Sequence, residues 1–539
     1  MSGFLFRKSP NIFGFSFGLH YLSPLVKILS LGNAKKNKLF FCISLVYSYL
    51  CRHERTKETH ARRVGAPEHG AADVAPRAYR LGTHTARDHH CLRRYGAGNP
   101  QTRGPAHRRS PSPSHPLTFS LAITNQRETT VVWNKTTGKP IANAVVWQDT
   151  RGAELCRQLR AEGKADMVMQ KSGLLIDPNF SASGVKWLLD NIDGARELCS
   201  RGELLMGTIE TWLIWKLTGG KVHATDYTNA SRTMLFNIHT LDWDDDLLAL
   251  FDIPRSMMPE LKPCDAIYGE TTCEGLFSSP IQIAGVLGDS HGALVGQMCF
   301  EKGSGKVTYG TGSSVMVNIG EEPKAAPEGL VTSVGFSALG KTYYGFEGNI
   351  YSTGATLKWI CDQLQLIGKP SEMGALATSV ADNGGVYIVP AFSGLGAPWW
   401  QSDVKGAVFG LTFATTKAHF LRAALESIAY QIKDLVDVMA RATGGSLKEI
   451  AADGGPTKNQ FLMQFQADML DTPVVCTEVD DASALGAVIM NGFARGLWHS
   501  FNEVTGFRVV TQTYQPKANS PELTALYQGW RNAVRQLIK

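Results

Sequence analysis

The chain of 539 residues is 43% apolar and 9% aromatic, enough to bury several cores or two large ones, so an ordinary globular protein is expected. Ten cysteines occur without any Cys-x-x-Cys pair, which argues against a zinc site or a disulfide framework and suits a reducing compartment. The net charge of +6 conceals an asymmetry: residues 1–116 hold 19 Lys and Arg against 5 Asp and Glu, and the remainder 35 against 43. An acidic body behind a basic head gives no reason to expect a nucleic-acid partner.

Residues 1–51 contain no Asp or Glu. Their apolar run Leu39 to Cys51 spans 13 residues, too few to cross a bilayer as a helix, so no membrane span is expected. A transit peptide is one reading, since such peptides are basic, Ser-rich and poor in acids, but no order of charged, apolar and cleavage regions appears. Residues 52–116 hold 8 of the 14 His and 12 Arg, and no Ile, Phe, Trp or Met. Runs such as Arg87-Asp88-His89-His90 offer metal or nucleic-acid contacts. The absence of any strand or helix period favours instead a segment not selected to fold, as an out-of-frame translation is not. Residues 1–116 are therefore unassigned.

From residue 117 short apolar strands alternate with amphipathic helices, the pattern of α/β layers. Ala144-Val-Val-Trp147 and Leu204-Leu-Met-Gly207 read as strand pieces, and Thr211 to Lys216 as a helix. Further strands are expected at Val307 to Gly310, Ser314 to Asn318, Lys341 to Gly345 and Gly385 to Val389. A long helix from His419 to Ala440 places Phe420, Ala424, Ile428, Ile432 and Val436 on one face.

Three Gly-rich elements offer phosphate contacts. Thr308-Tyr-Gly310-Thr311-Gly312-Ser313-Ser314 reads as a hairpin turn, where glycine permits close backbone approach and hydroxyls donate; a bare hairpin needing positive φ is the alternative. Asp453-Gly454-Gly455-Pro456-Thr457-Lys458-Asn459 sits between strand and helix, where a helix N-terminus meets an anion. Thr353-Gly354-Ala355-Thr356 opens a further helix. None fits the Walker or Rossmann spacing. Asp289 closes the apolar strand ending Val286-Leu-Gly, well placed to take a hydroxyl proton or, alternatively, to cap a helix. Arg127 and Glu128, within Thr124-Asn-Gln-Arg-Glu-Thr-Thr130, combine donors and acceptors for a small polyol; the alternative is a surface pair of little consequence.

Together these elements resemble the FGGY carbohydrate kinase family, and among its members the glycerol kinases. The resemblance runs from about Ile123 to the end. It is carried by Asn125-Gln-Arg-Glu-Thr-Thr130, Val146-Trp-Gln-Asp-Thr-Arg151, Thr225 to Arg232, Thr233 to His239, Pro390 to Pro398, Gly406 to Leu411 with His419 and Ala424 to Glu426, and Asp453-Gly-Gly455. It implies two actin-like (ribonuclease H-like) domains around a cleft, 117–297 and 298–539, the first incomplete at its N-terminus. It implies transfer of the γ-phosphoryl group of ATP, with Mg²⁺, to a polyol, by a cytoplasmic homo-oligomer. By motif match Asp289 is the base. Thr311, Gly354, Lys358, Gly455 and Asn459 line the nucleotide site, and Arg127, Glu128 and Trp147 hold the polyol.

The chain departs from the family's pattern in three ways. The loop Asp-Gln-Gly-Thr-Thr-Ser-Ser-Arg is expected near residues 54–61, but that stretch reads Glu54-Arg-Thr-Lys-Glu-Thr-His-Ala61, and no copy occurs in residues 1–122. That loop cradles phosphate and helps to hold Mg²⁺, so weak or absent turnover is expected, with a non-catalytic binding protein as the limiting case. In the polyol pocket Asn179 replaces Tyr, Ser290 replaces Gln and Ser314 replaces Phe, which leaves room for a longer polyol or ketose, although glycerol remains favoured. Finally, the loop Glu270 to Pro280 lacks the Gly-Gly-x-Arg pattern, so inhibition by fructose 1,6-bisphosphate is not expected.

Overall fold

In the first sheet, Val26–Asn33 (β1), Lys38–Leu45 (β2), Thr118–Asn125 (β3), Ile267–Thr271 (β4) and Ile281–Gly288 (β5) lie in the order β1-β2-β3-β5-β4. The computed structural model describes residues 26–33, 38–45 and 118–539 apart from 276, 402, 446, 478–480 and 518–519; for β1, β2 and residues 118–119 it describes the backbone alone. Residues 46–117, including positions 54–61, lie outside the described residues. β2, β3 and β5 run parallel, with antiparallel β1 and β4 at the edges.

The second sheet has seven strands: Ser304–Tyr309 (β6), Ser313–Gly320 (β7), Val331–Ala338 (β8), Lys341–Ile350 (β9), Glu449–Gly454 (β10), Val474–Thr477 (β11) and Val510–Tyr514 (β12). Their order is β8-β9-β7-β6-β10-β11-β12. The antiparallel meander β6 to β9 joins a parallel set through β6 and β10. The first sheet has the same plan, antiparallel pairs flanking parallel central strands, so the two form related α/β lobes, as expected of an actin-like pair.

The helices that matter for the site are Ile209–Leu217 (α1), Asp289–Gly296 (α2), Gly354–Asp362 (α3), Lys417–Thr443 (α4), Gln460–Leu470 (α5) and Ala482–Ala494 (α6). α4 starts two residues before the expected helix because Thr416 and His419 form a reciprocal capping box, and it stops at left-handed Gly444. Its face of Ala424, Ile428, Ile432 and Val436 is buried, with Phe420 partly so. α2 and α6 lie between the sheets, where Leu287, Leu294, Met316, Phe336, Ala451 and Leu485 share one apolar cluster. The core is thus continuous from lobe to lobe and fixes the strand ends that face each other.

Most expected strands are present, with two corrections. Val26–Asn33 and Lys38–Leu45, within the stretch left unassigned, extend the first sheet beside β3. Ala144 to Trp147 is not a strand: only Val145 bridges Thr130. The chain turns at once, because Asp149 N donates to Val146 O and the Asp149 carboxylate accepts from Arg151 N. Such an Asx turn competes with ladder pairing.

Candidate active site

Parallel strands β3 and β5 end side by side, with Gly288 in register with Asn125. The carboxyl ends of parallel strands are where open α/β sheets bind ligands. Asp289 follows Gly288, which is the cap residue; Asp289 is therefore the first helical residue of α2, not its cap. Its Oδ1 accepts from Ser290 N at 2.7 Å, and its side chain remains 46% exposed.

Arg127 and Glu128 are buried, which removes the surface-pair alternative. Arg127 Nε lies 3.2 Å from Asp289 Oδ1, and Arg127 Nη1 donates to Glu347 Oε2 at 2.8 Å. Arg232 Nη1 is 2.9 Å from the same Glu347 oxygen, and Arg232 Nε donates to Glu128 Oε1 at 2.6 Å. The result is an alternating chain, Asp289–Arg127–Glu347–Arg232–Glu128. Burial alone favours neutral forms, but Glu347, Glu128 and Asp289 outweigh it and raise the Arg127 pKa. Burial likewise opposes the Glu347 charge, yet Arg127 and Arg232 hold its carboxyl well below the usual range. Glu347 belongs to β9 in the second sheet, so the chain of charges ties the two lobes together.

A buried polar layer backs these strand ends. Asn125 Nδ2 donates to Glu210 Oε2 at 2.9 Å and to Asn229 Oδ1 at 3.1 Å; Gly288 N donates to Thr228 Oγ1 at 2.9 Å, and Thr228 N to Asp226 Oδ2 at 2.7 Å. Burial, with the neighbouring Glu210 charge, pushes Asp226 from 3.8 up to about 7. A carboxyl whose folded pKa is raised stabilises the fold below its unfolded value, and that contribution is lost as pH rises through about 7. Glu347 acts in the opposite sense, but only as pH falls below its ordinary 4.5. Between pH 5 and pH 7 the buried His291 and the partly buried His223, held below their ordinary values by burial, act in the opposite sense. The expected result is therefore a difference: Asp226→Asn loses less stability with rising pH than the unaltered chain, and equal slopes in a melting series would contradict the assignment.

The other expected polyol residues are Trp147, Asn179, Ser290 and Ser314. Ser181 Oγ donates to Glu128 O at 2.7 Å, and the Phe180 ring lies 5.0 Å from the Arg232 guanidinium. Asn179 precedes Phe180 and Ser181, and its N donates to Asp177 Oδ1 at 2.9 Å. Trp147 follows the Val145 bridge to Thr130. Ser290 adjoins Asp289, and Ser314 Oγ accepts from Lys306 Nζ at 3.1 Å. Trp147, Asn179, Ser290 and Ser314 are all partly exposed.

Four of the five expected nucleotide residues, Thr311, Gly354, Lys358 and Gly455, line one cavity of about 570 Å³ with Tyr309, Gly310 and Trp359. That volume suits a nucleotide. The β6–β7 turn is the expected hairpin, but Gly310 and Gly312 do not adopt positive φ. Gly312 is needed instead for close approach, since a Cβ there would sit 2.2 Å from Ile350 O. Gly454 does have φ 101° and would strike Tyr309 O at 2.0 Å. A Cβ on Gly455 meets nothing within 4 Å, so it would project into the space a ligand needs. Gly455→Val is therefore expected to weaken ADP binding about tenfold or more with the fold intact, which calorimetry would check. Asn459 does not line the cavity; its side chain caps α5 by accepting from Leu462 N at 3.1 Å. A 3₁₀ turn, Gly455–Lys458, separates β10 from α5. Among the described residues no group of three His, Cys, Asp or Glu forms a metal site.

Glu347, Arg232 and Lys306 did not emerge from the sequence as site residues. Glu347 is a lone charge amid Gly345, Phe346 and Gly348, a visible anomaly in a strand; Arg232 ends a motif already singled out.

Two related lobes, a nucleotide-sized cavity beside a glycine-lined turn, and a carboxylate tethered at parallel strand ends define the class of two-lobed carbohydrate phosphotransferases. Residues 114–296 match the FGGY family of carbohydrate kinases, N-terminal domain, and residues 305–495 its C-terminal domain. The chain belongs to this family. It is 50% identical over 414 residues to the glycerol kinase of Xanthomonas axonopodis pv. citri, covering 77% of this chain and 83% of that one. It is 49% identical to the glycerol kinase of Bacillus subtilis (strain 168), covering 77% and 84%. The crystal structure of Plasmodium falciparum glycerol kinase with ADP superposes with a TM-score of 0.75 at 35% identity, covering 78% of this chain and 84% of that chain. No helix among the described residues is long and apolar enough to cross a membrane.

Proposed function

We propose that the chain transfers the γ-phosphoryl group of ATP to glycerol, giving glycerol 3-phosphate and ADP. The observation that carries this reading is Asp289, half-exposed at the strand end and tethered by buried Arg127. Asp289 accepts the proton of the attacking hydroxyl, and Arg127 keeps the carboxylate aimed. Arg127 and Glu128 hold the other polyol hydroxyls, while Trp147, Asn179, Ser290 and Ser314 wall the pocket. The nucleotide sits against Thr311, Gly354, Lys358 and Gly455, with Asn459 fixing the adjoining helix. Mg²⁺ would neutralise phosphate charge, and Asp289 and Asp453 are the carboxylates of this chain that would face it. The working division is 117–297 for the acceptor and 298–539 for the nucleotide, in a cytoplasmic homo-oligomer. The seven free cysteines among the described residues suit that compartment.

The first-lobe phosphate loop is absent from residues 1–122, and this supports slow turnover. Losing preorganised donors to developing phosphoryl charge costs ~10²–10³ in rate per donor. The same observation favours a second reading, a protein that binds nucleotide and polyol without turnover. Mass-spectrometric detection of glycerol 3-phosphate, after incubation with ATP, Mg²⁺ and glycerol, tests the first reading; ADP binding with no product would establish the second. Should product form, kcat/KM for glycerol, erythritol and a pentulose ranks the acceptors, and glycerol is expected to lead. Fructose 1,6-bisphosphate at millimolar concentration is expected not to inhibit.

A further inference from the structure

Lys306 is fully buried on β6, yet it makes no ion pair among the described residues. Its Nζ donates to two neutral hydroxyls, Thr308 Oγ1 at 3.2 Å and Ser314 Oγ at 3.1 Å. Strand register explains the grouping. Lys306 faces Met316 and Thr308 faces Ser314 across β6–β7; Met316 in turn faces Glu347, and Thr308 faces Asp453. Directly opposed residues share a face of the sheet, so Lys306, Thr308, Ser314, Glu347 and Asp453 all project toward one side. That side carries the contacts to Arg127 and Arg232 through Glu347, and to α2 through Gln297 Nε2, which donates to Asp453 Oδ2 at 2.8 Å.

Thr308 and Ser314 flank the Gly310–Gly312 turn, whose other members line the nucleotide cavity. Lys306 thus clasps both sides of the turn from beneath. Burying an ammonium without a contacting carboxylate is costly, and an apolar side chain would fill the same space more favourably. Burial holds its pKa below the ordinary lysine value, Arg127 adds to the depression, and Asp453, Glu347 and Asp289 oppose it. Thr308 Oγ1 accepts from Lys306, and its hydroxyl donates a hydrogen bond to the Asp453 carboxylate. Ser314, having accepted from Lys306, keeps its hydroxyl proton to donate into the cleft.

Resting on the phosphotransferase reading, we infer that Lys306 is a positioning residue for the terminal phosphoryl group: it braces the phosphate turn, orients the Ser314 hydroxyl as a donor, and backs the developing negative charge with a fixed cation. The test uses the full chain, with ADP and the β,γ-imido analogue of ATP as probes. Lys306→Met is expected to weaken the imido analogue about 10- to 100-fold, to leave ADP affinity within about twofold, and not to lower the thermal midpoint. Lys306→Arg recovers part of the loss, and Ser314→Ala shows a smaller loss of the same kind. Equal weakening of both nucleotides with a lower midpoint would make Lys306 purely structural and overturn the inference. Unchanged affinity for the imido analogue, or loss confined to glycerol binding, would overturn it as well. Failure of the unaltered chain to bind ADP would instead remove the nucleotide site, and with it the phosphotransferase reading itself.

Discussion

Asp289→Asn is expected to lower glycerol-dependent ADP release by ~10²–10⁴, the usual contribution of a positioned general base. The amide keeps the shape and still accepts from Ser290 N, so the fold and ADP affinity are expected to be unchanged. What it removes is the negative charge beside Arg127 and the site that receives the proton. A loss expressed in kcat, with little change in nucleotide affinity, separates this from damage to binding. If Asp289→Asn retains the rate of the unaltered chain, Asp289 does not take the proton.

The second large effect concerns stability. Glu347 is the only carboxylate that contacts both Arg127 and Arg232 among the described residues. Glu347→Ala leaves two buried guanidinium groups short of a partner, and breaking such a pair costs ~3–5 kcal/mol. A lower midpoint in chemical denaturation should appear together with lost polyol affinity, because Arg127 and Arg232 orient Asp289 and Glu128. Glu347→Gln keeps one acceptor and should fall between the two. A Glu347→Ala chain as stable as the original would mean that the lobes are joined by the apolar cluster around α2 and α6 alone.

The sequence made the local site legible wherever function is written in a short motif. Asn125 to Thr130, Asp289 and Asp453 to Gly455 fall at strand ends, and apolar runs followed by small or polar residues announce such ends. The nucleotide glycines were legible as a set, but the reason for Gly312 was not: its limit is Ile350 O, a contact with a strand 38 positions away that no local rule reveals. The same holds for Glu347 and Lys306. Each reads locally as a charge in a strand, and its meaning comes from register: Lys306 against Met316, Met316 against Glu347. Asn459 shows the converse. Motif matching put it at the nucleotide, and the structure adds a local role, its side-chain oxygen capping α5. The strand expected at Ala144 to Trp147 failed because Asp149, outside the apolar run, closes a turn.

The most direct test is the rate at which the full chain releases ADP from ATP with and without glycerol. If Asp289 is the base and Arg127 and Glu128 hold the polyol as proposed, a chain without the first phosphate loop releases ADP slowly and only with glycerol. Release that is indifferent to glycerol, or that is fast, would contradict this, and absent release with ADP still bound would establish the binding-only reading.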